Sequence, residues 1–256
     1  MTMDTAWLWS FFAVFVRASA MMISSPVFSA QSTPLQIRIF TTLSISAALT
    51  AVLQPKVGAM PEHFILMIFA VASEALAGLL IGIFTSFAFH AAQMAGTFLD
   101  FQVGLGMSQI VNPATGVPST LIGQFKYMLA ITTFLAMNGH HSMIHAFAAS
   151  YDAYPGFNSQ TLTGLEKNLM PLFGTMCLLA LQIAAPVAAV SLVVDSALGV
   201  VNKAVPQMQV FMVGMPAKIL LGLIALSLSL PALTAGVDNG VRMGLETLFS
   251  LWKEGK

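Results

Sequence analysis

Residues 64–101 read FILMIFAVASEALAGLLIGIFTSFAFHAAQMAGTFLDF, an apolar run of 38 residues. As a helix rising 1.5 Å per residue it is roughly 57 Å long, whereas a bilayer core is about 30 Å thick. It is too long for one simple span, and it predicts either a helical hairpin or helices that continue outside a flat bilayer. The rest of the chain agrees with lipid as the solvent. Of 256 residues 57% are hydrophobic and only 8% are charged, against roughly 25% in a soluble domain, and the mean hydropathy is +0.84. The predicted fold class is all-α: membrane-associated helical hairpins with kinked or broken helices.

Working outward, further apolar runs cover about 6–23, 37–53, 120–137, 169–204 and 208–233, with a shorter amphipathic piece at 237–252. Ser24-Ser25-Pro26, Ser32-Thr33-Pro34, Gln54-Pro55 and Asn138-Gly139 separate them, through a missing donor or easy access to positive φ. The 169–204 run is also overlong, and Pro186 near its middle invites a kink or break. No linker divides the chain, so residues 1–256 read as one helical unit with no separable soluble domain. The first run carries Asp4 and is interrupted by Arg17, unlike a signal peptide, and is expected to be retained as a helix. Loop charges such as Lys56, Glu62 and Lys203 give almost no positive-inside asymmetry, so orientation is expected to come from assembly with other subunits.

Ten basic and ten acidic residues give a formal net charge of +0, so no basic field exists to attract nucleic acid. Cys177, the only cysteine, lies in an apolar stretch and reads as a small core residue. Charges inside apolar runs are costly unless paired or wet, which singles out Arg17, Glu74, Lys126, Asp195 and Lys218. Glu74 shares a four-residue row with Gly78 and Gly82, and Lys218 lies between Gly214 and Gly222 at the same spacing. Glycines so spaced admit a second helix, placing these charges on stripes that face protein. Near the end, Gly236, Gly240 and Gly244 form one row, and Asp238, Arg242 and Glu246 form another on the far side of the helix.

His141 and His145 would share a helix face, but the acid of the metalloprotease pattern is missing, since Ser142 and Met143 follow His141 directly. We expect these rings to cap or hydrogen-bond at a boundary, with no metal and no cofactor. No serine elbow, phosphate loop or carboxylate pair is present, and no catalytic residue is expected. The segment from Gln102 to Ser119 is uncharged and irregular, with Gly104, Gly106, Met107, Asn112, Pro113, Gly116 and Pro118. It reads as a surface connection or as a loop lining or plugging a pore. The 17 methionines suit a deformable seal or ordinary helix packing equally.

Three stretches together are similar to a known family. They are Gly96-Thr97-Phe98-Leu99-Asp100-Phe101-Gln102-Val103-Gly104 running into Met107, Asn138-Gly139-His140-His141 with Pro155, and Val205-Pro206-Gln207-Met208-Gln209-Val210-Phe211 leading to Gly214-Met215-Pro216-Ala217-Lys218. Over nearly its whole length the chain resembles the FliR family of flagellar and type III secretion export-apparatus membrane subunits. Gln209 departs from that pattern, which has asparagine there. The resemblance implies a structural, pore-forming subunit of a flagellar protein-export gate in the bacterial inner membrane, at the basal body. It further implies partners FliP, FliQ and FlhB, and unfolded flagellar proteins as cargo. The family's gate loop is similar in position to 104–119, which implies a plug in which Gly104 and Gly106 allow movement and Met107 and Ile110 seal, with Asn112, Pro113 and Gly116 shaping the rest. The competing reading is a secondary transporter of small molecules or ions, which would also explain broken helices and intramembrane charges.

Overall fold

The structure is a computed structural model describing residues 5–29, 33–105, 120–153, 159–205 and 210–254. Apart from a 3-10 turn at Gln54–Lys56, the regular elements among them are α-helices: α1 (Thr5–Ser24), α2 (Leu35–Leu53), α3 (Phe64–Val103), α4 (Leu121–Ala136), α5 (Gly139–Ala153), α6 (Ser159–Ala204), α7 (Val210–Leu228) and α8 (Leu230–Glu254). The protein is an all-α membrane protein. Four stretches, Thr5–Ser24, Leu35–Lys56, Phe64–Val103 and Glu166–Ala204, are long and apolar enough to cross a bilayer, and α7 with α8 forms a further, bent candidate.

Helix boundaries follow local chemistry. Pro34 precedes α2 with φ −56° and ψ 141°, the extended start that proline presets. Asn138 takes φ 57° between α4 and α5, and asparagine is among the few side chains that tolerate this region. The helix restarts after this residue, and residues 139–153 form α5, although no apolar run marks it. Met143, Ala146, Phe147 and Ser150 make its buried stripe.

Of the two alternatives for the long runs, the continuous helix is the one found rather than the hairpin. Helix α3 is one unbroken helix of 40 residues, because no proline interrupts it and its glycines cost only about 1 kcal/mol each against alanine. Helix α6 is likewise continuous over 46 residues and passes through Pro186 without a break. The proline removes one donor, while Ala184, Ala185, Ala188 and Ala189 around it favour helix. The real break lies at Ser229, several residues before the gap read from hydropathy. There the chain turns by 53° between α7 and α8, and Pro231 fits in the first turn of α8, where its missing donor costs nothing.

The chain divides into two compact units, and α3, α6 and α8 contribute to both. The first draws on the described parts of 1–87, 138–173 and 241–256. Its core includes Val14, Met21, Leu53, Phe84, Phe147 and Trp252, with α1 and α2 packed on each other. The second, from 88–137 and 174–240, buries Phe89, Leu99, Phe134, Ile183, Val187 and Leu233. Phe89 and Phe134 meet edge to face at 5.2 Å.

Candidate functional site

The chemistry of the second unit gathers where α3 ends and α4 begins. Gly96 and Asp100 lie four residues apart on α3 and so share one face, and Gly104 follows at the same spacing just past its end. At Gly96 the helices approach so closely that an added Cβ would lie 2.5 Å from the Gly123 Cα and 2.6 Å from the Ile122 carbonyl oxygen. This contact requires glycine. One turn on, the Oδ2 of Asp100 accepts from the backbone N–H groups of Ile122, at 2.9 Å, and Gly123, at 3.1 Å. Two donors that the first turn of α4 would otherwise leave without partners are thus satisfied by a carboxylate placed at the positive end of the helix dipole. The Thr97 and Thr120 hydroxyls meet at 3.0 Å beside it.

Helix α3 then closes at Gly104, whose N–H returns to the carbonyls of Asp100 and Phe101 at 3.1 and 3.3 Å. Its φ of +96° is open to glycine and strained for other residues. The two stems of the 104–119 segment are therefore tied to each other at Asp100 and Thr97. Gly106, Met107, Ile110, Asn112, Pro113 and Gly116 lie outside the described residues. Asp100 is only 1% exposed, and its Oδ1 is buried with no hydrogen-bond partner among the described residues.

Lys126, one turn further along α4, is also 1% exposed. Its Nζ donates to the Ile183 carbonyl on α6 at 3.3 Å. Lys218 and Asp195 form an ion pair of 2.7 Å linking α7 to α6. The pair lines a cleft of about 240 Å³ with Leu198, Gly199, Asn202, Gly214 and Met215. Gly214 faces Leu198, Gly222 faces Val103, and Gly236 and Gly240 face Leu179.

In the first unit, Glu74 pairs with Arg17 across 57 residues of sequence, with Arg17 Nε donating at 2.7 Å. Arg17 Nη1 donates to the Ser150 hydroxyl at 2.6 Å, and Ser150 donates on to the Phe147 carbonyl. The guanidinium lies 3.7 Å from the centroid of the Tyr151 ring, a cation–π contact of the desolvated kind. Tyr151 donates to the same Glu74 oxygen at 3.3 Å. It sits on α5, outside the stretches long enough to span. Burial raises its pKa, with the Glu74 charge adding to the shift and Arg17 opposing it, so it remains a donor. Gly78 and Gly82 continue the Glu74 row against the backbone of α1 at Arg17 and Met21. Gly244 lies over the Phe84 carbonyl, while Arg242 and Glu246 pair loosely at 3.9 Å on the exposed face of α8.

The rings of His140 and His141 touch at 4.3 Å between centroids. No cluster of histidine, cysteine or acidic residues suited to a metal occurs among the described residues. Asp100 stands in the Gly96–Gly104 stretch without a role assigned to it from sequence, and Ser150 and Tyr151 are not singled out there at all. For Asp100 a signal existed, namely an acid inside an apolar run four residues after Gly96. For Ser150 and Tyr151 none existed, because their partners are 133 and 77 residues away.

Residues 8–243 match the family described as bacterial export proteins, family 1. The chain is 33% identical over 249 residues to the flagellar biosynthetic protein FliR of Bacillus subtilis (strain 168), covering 94% of each chain. It is 32% identical over 217 residues to that of Caulobacter vibrioides, covering 85% of this chain and 86% of that one. The surface presentation of antigens protein SpaR of Shigella flexneri is 27% identical over 162 residues, 63% of this chain and 61% of that one.

Proposed function

Because the chain belongs to the bacterial export proteins, family 1, and is thereby a membrane component of a protein-export apparatus, we propose that it is a structural, pore-forming subunit of the flagellar type III export gate. It assembles with FliP, FliQ and FlhB in the inner membrane at the flagellar basal body and passes unfolded flagellar proteins. The flagellar form is supported by the longer and closer match to the FliR proteins than to SpaR. The whole chain acts as one subunit, a reading supported by the three helices that contribute to both compact units.

The segment 104–119 helps to close the channel. The observation that carries this is the tie between its stems: the Asp100 carboxylate holds the first turn of α4 while Gly104 ends α3 at positive φ. The tie fixes where the segment leaves α3 and enters α4, and the absence of charge between its stems lets an unfolded chain displace it at low electrostatic cost. Gly106, Met107, Ile110, Asn112, Pro113 and Gly116 form the middle of the segment. The remaining charges, Asp195 and Lys218 above all, together with the glycine rows, serve helix packing and contact with neighbouring subunits. No catalytic step and no cofactor enters this function.

Deleting 106–116 and measuring small-ion leakage through the assembled complex tests the closure. Leakage is expected to rise, and an unchanged leak sinks the plug. A monodisperse lone chain that transports a solute would overturn the export reading itself and favour a transporter.

A further inference from the structure

Two buried charges of the second unit are each left half-satisfied. Asp100 uses Oδ2 at the start of α4, and its Oδ1 meets no donor among the described residues. Lys126 has one neutral acceptor, the Ile183 carbonyl at 3.3 Å. A buried ammonium or carboxylate in that condition is costly, and each could relieve the other. They are close in the fold. Lys126 lies three and four residues beyond Gly123 and Ile122, the residues that Asp100 holds, and helical side chains slant toward the N-terminus of their helix, here toward Asp100. An extended lysine side chain reaches about 6 Å, a little more than one helical pitch.

The acceptor that Lys126 now uses is also telling. Ile183 precedes Pro186 by three residues, and Pro186 has no N–H to give to Gln182. That turn of α6 is one helix bond short at Gln182, and Lys126 props the neighbouring carbonyl of the same turn from α4.

We propose that Lys126 is a two-position latch, held by the Ile183 carbonyl in the arrangement described and by Asp100 Oδ1 in a second one. In the second arrangement the ion pair locks the first turn of α4 and releases α6 to bend at Pro186. The latch gives the chain a device by which the base of the 104–119 segment and the long helix α6 change together, and it holds whatever the middle of that segment does.

Hydrogen exchange of the full chain in detergent tests it. Lys126→Met removes the prop, and amides 184–190 are expected to exchange about threefold faster or more. Asp100→Asn removes the competing site, so Lys126 stays on Ile183 and the same amides exchange more slowly than in the parent chain. A purely structural Asp100, acting only on α4, would leave 184–190 unchanged, and that result or a faster exchange overturns the proposal. Lys126→Arg keeps the charge and is expected to stay near the parent profile. Where a single variant fails to accumulate, the level in membranes is the readout. Asp100→Asn/Lys126→Met is expected to recover above either single variant, since neither charge is then stranded. A double variant at or below the worse single variant overturns the latch.

Discussion

Alanine at Gly78 would strike a point where the backbones of α1 and α3 lie in close contact. The added Cβ would sit 2.9 Å from the Ala20 Cβ and nearer still to the Arg17 carbonyl oxygen. That oxygen belongs to backbone inside a helix, so no rotamer change makes room. Restoring ordinary contact requires the two helices to part by roughly 1 Å. The same displacement would stretch the 2.7 Å bond from Arg17 to Glu74 beyond hydrogen-bonding range. Overpacking of this kind costs about 1–3 kcal/mol, and the weakened charge-assisted bond adds on the order of 1 kcal/mol. Thermal unfolding of the full chain in detergent should then fall by about 5–15 °C, at about 2–4 °C per kcal/mol for a chain of this size. Gly174→Ala is the control, because nothing lies within 4 Å of the new methyl. There alanine should raise stability by about 0.5–1 kcal/mol through helix propensity alone. Ala20→Gly should rescue Gly78→Ala only slightly, since the carbonyl is the nearer obstacle. Unfolding of Gly78→Ala at or above the control refutes the close approach and the pairing that depends on it.

Glu74→Gln leaves Arg17, 3% exposed, facing a neutral acceptor, and should cost about 3–5 kcal/mol, read as a matching loss of the chain from membranes. Tyr151→Phe deletes one 3.3 Å bond but keeps the ring under the guanidinium, so its cost should be about 1 kcal/mol by the same assay. Asp100→Ala should cost about 1–2 kcal/mol and speed hydrogen exchange first at the Ile122 and Gly123 amides. Lys218→Met breaks a pair whose aspartate is 44% exposed, so unfolding of the lone chain should move by less than about 1 kcal/mol. Loss of co-purifying subunits without that instability would place the pair at a contact with a neighbour.

Much of the helix layout was legible, because uncharged apolar runs and the prolines and glycines between them are local signals. The glycine rows beside Glu74 and Lys218 are visible in the sequence, since four-residue spacing marks one helix face before any partner is known. Residues 139–153 were harder: their histidines and serines dilute the apolar period, and the positive φ of Asn138, after which the helix restarts, is a backbone property. Hydropathy also misplaced the bend near 229, because Pro231 lies inside an apolar stretch whose sequence continues smoothly across the break. Which acid Arg17 would choose, and that Asp100 would reach across 22 residues to α4, depend on tertiary contacts that no local window contains.

The Arg17 cluster also sets a timetable for biogenesis. Glu74 emerges 57 residues after Arg17, and Ser150 emerges 133 residues after it. At about 5–20 residues per second of synthesis, the last of these partners arrives roughly 7–27 s after α1 has left the ribosome. Until Glu74 arrives, α1 carries a guanidinium without its counter-charge, which lipid will not accept cheaply. Helix α1 is thus made well before the cluster around its arginine is complete, which takes first α3 and then α5.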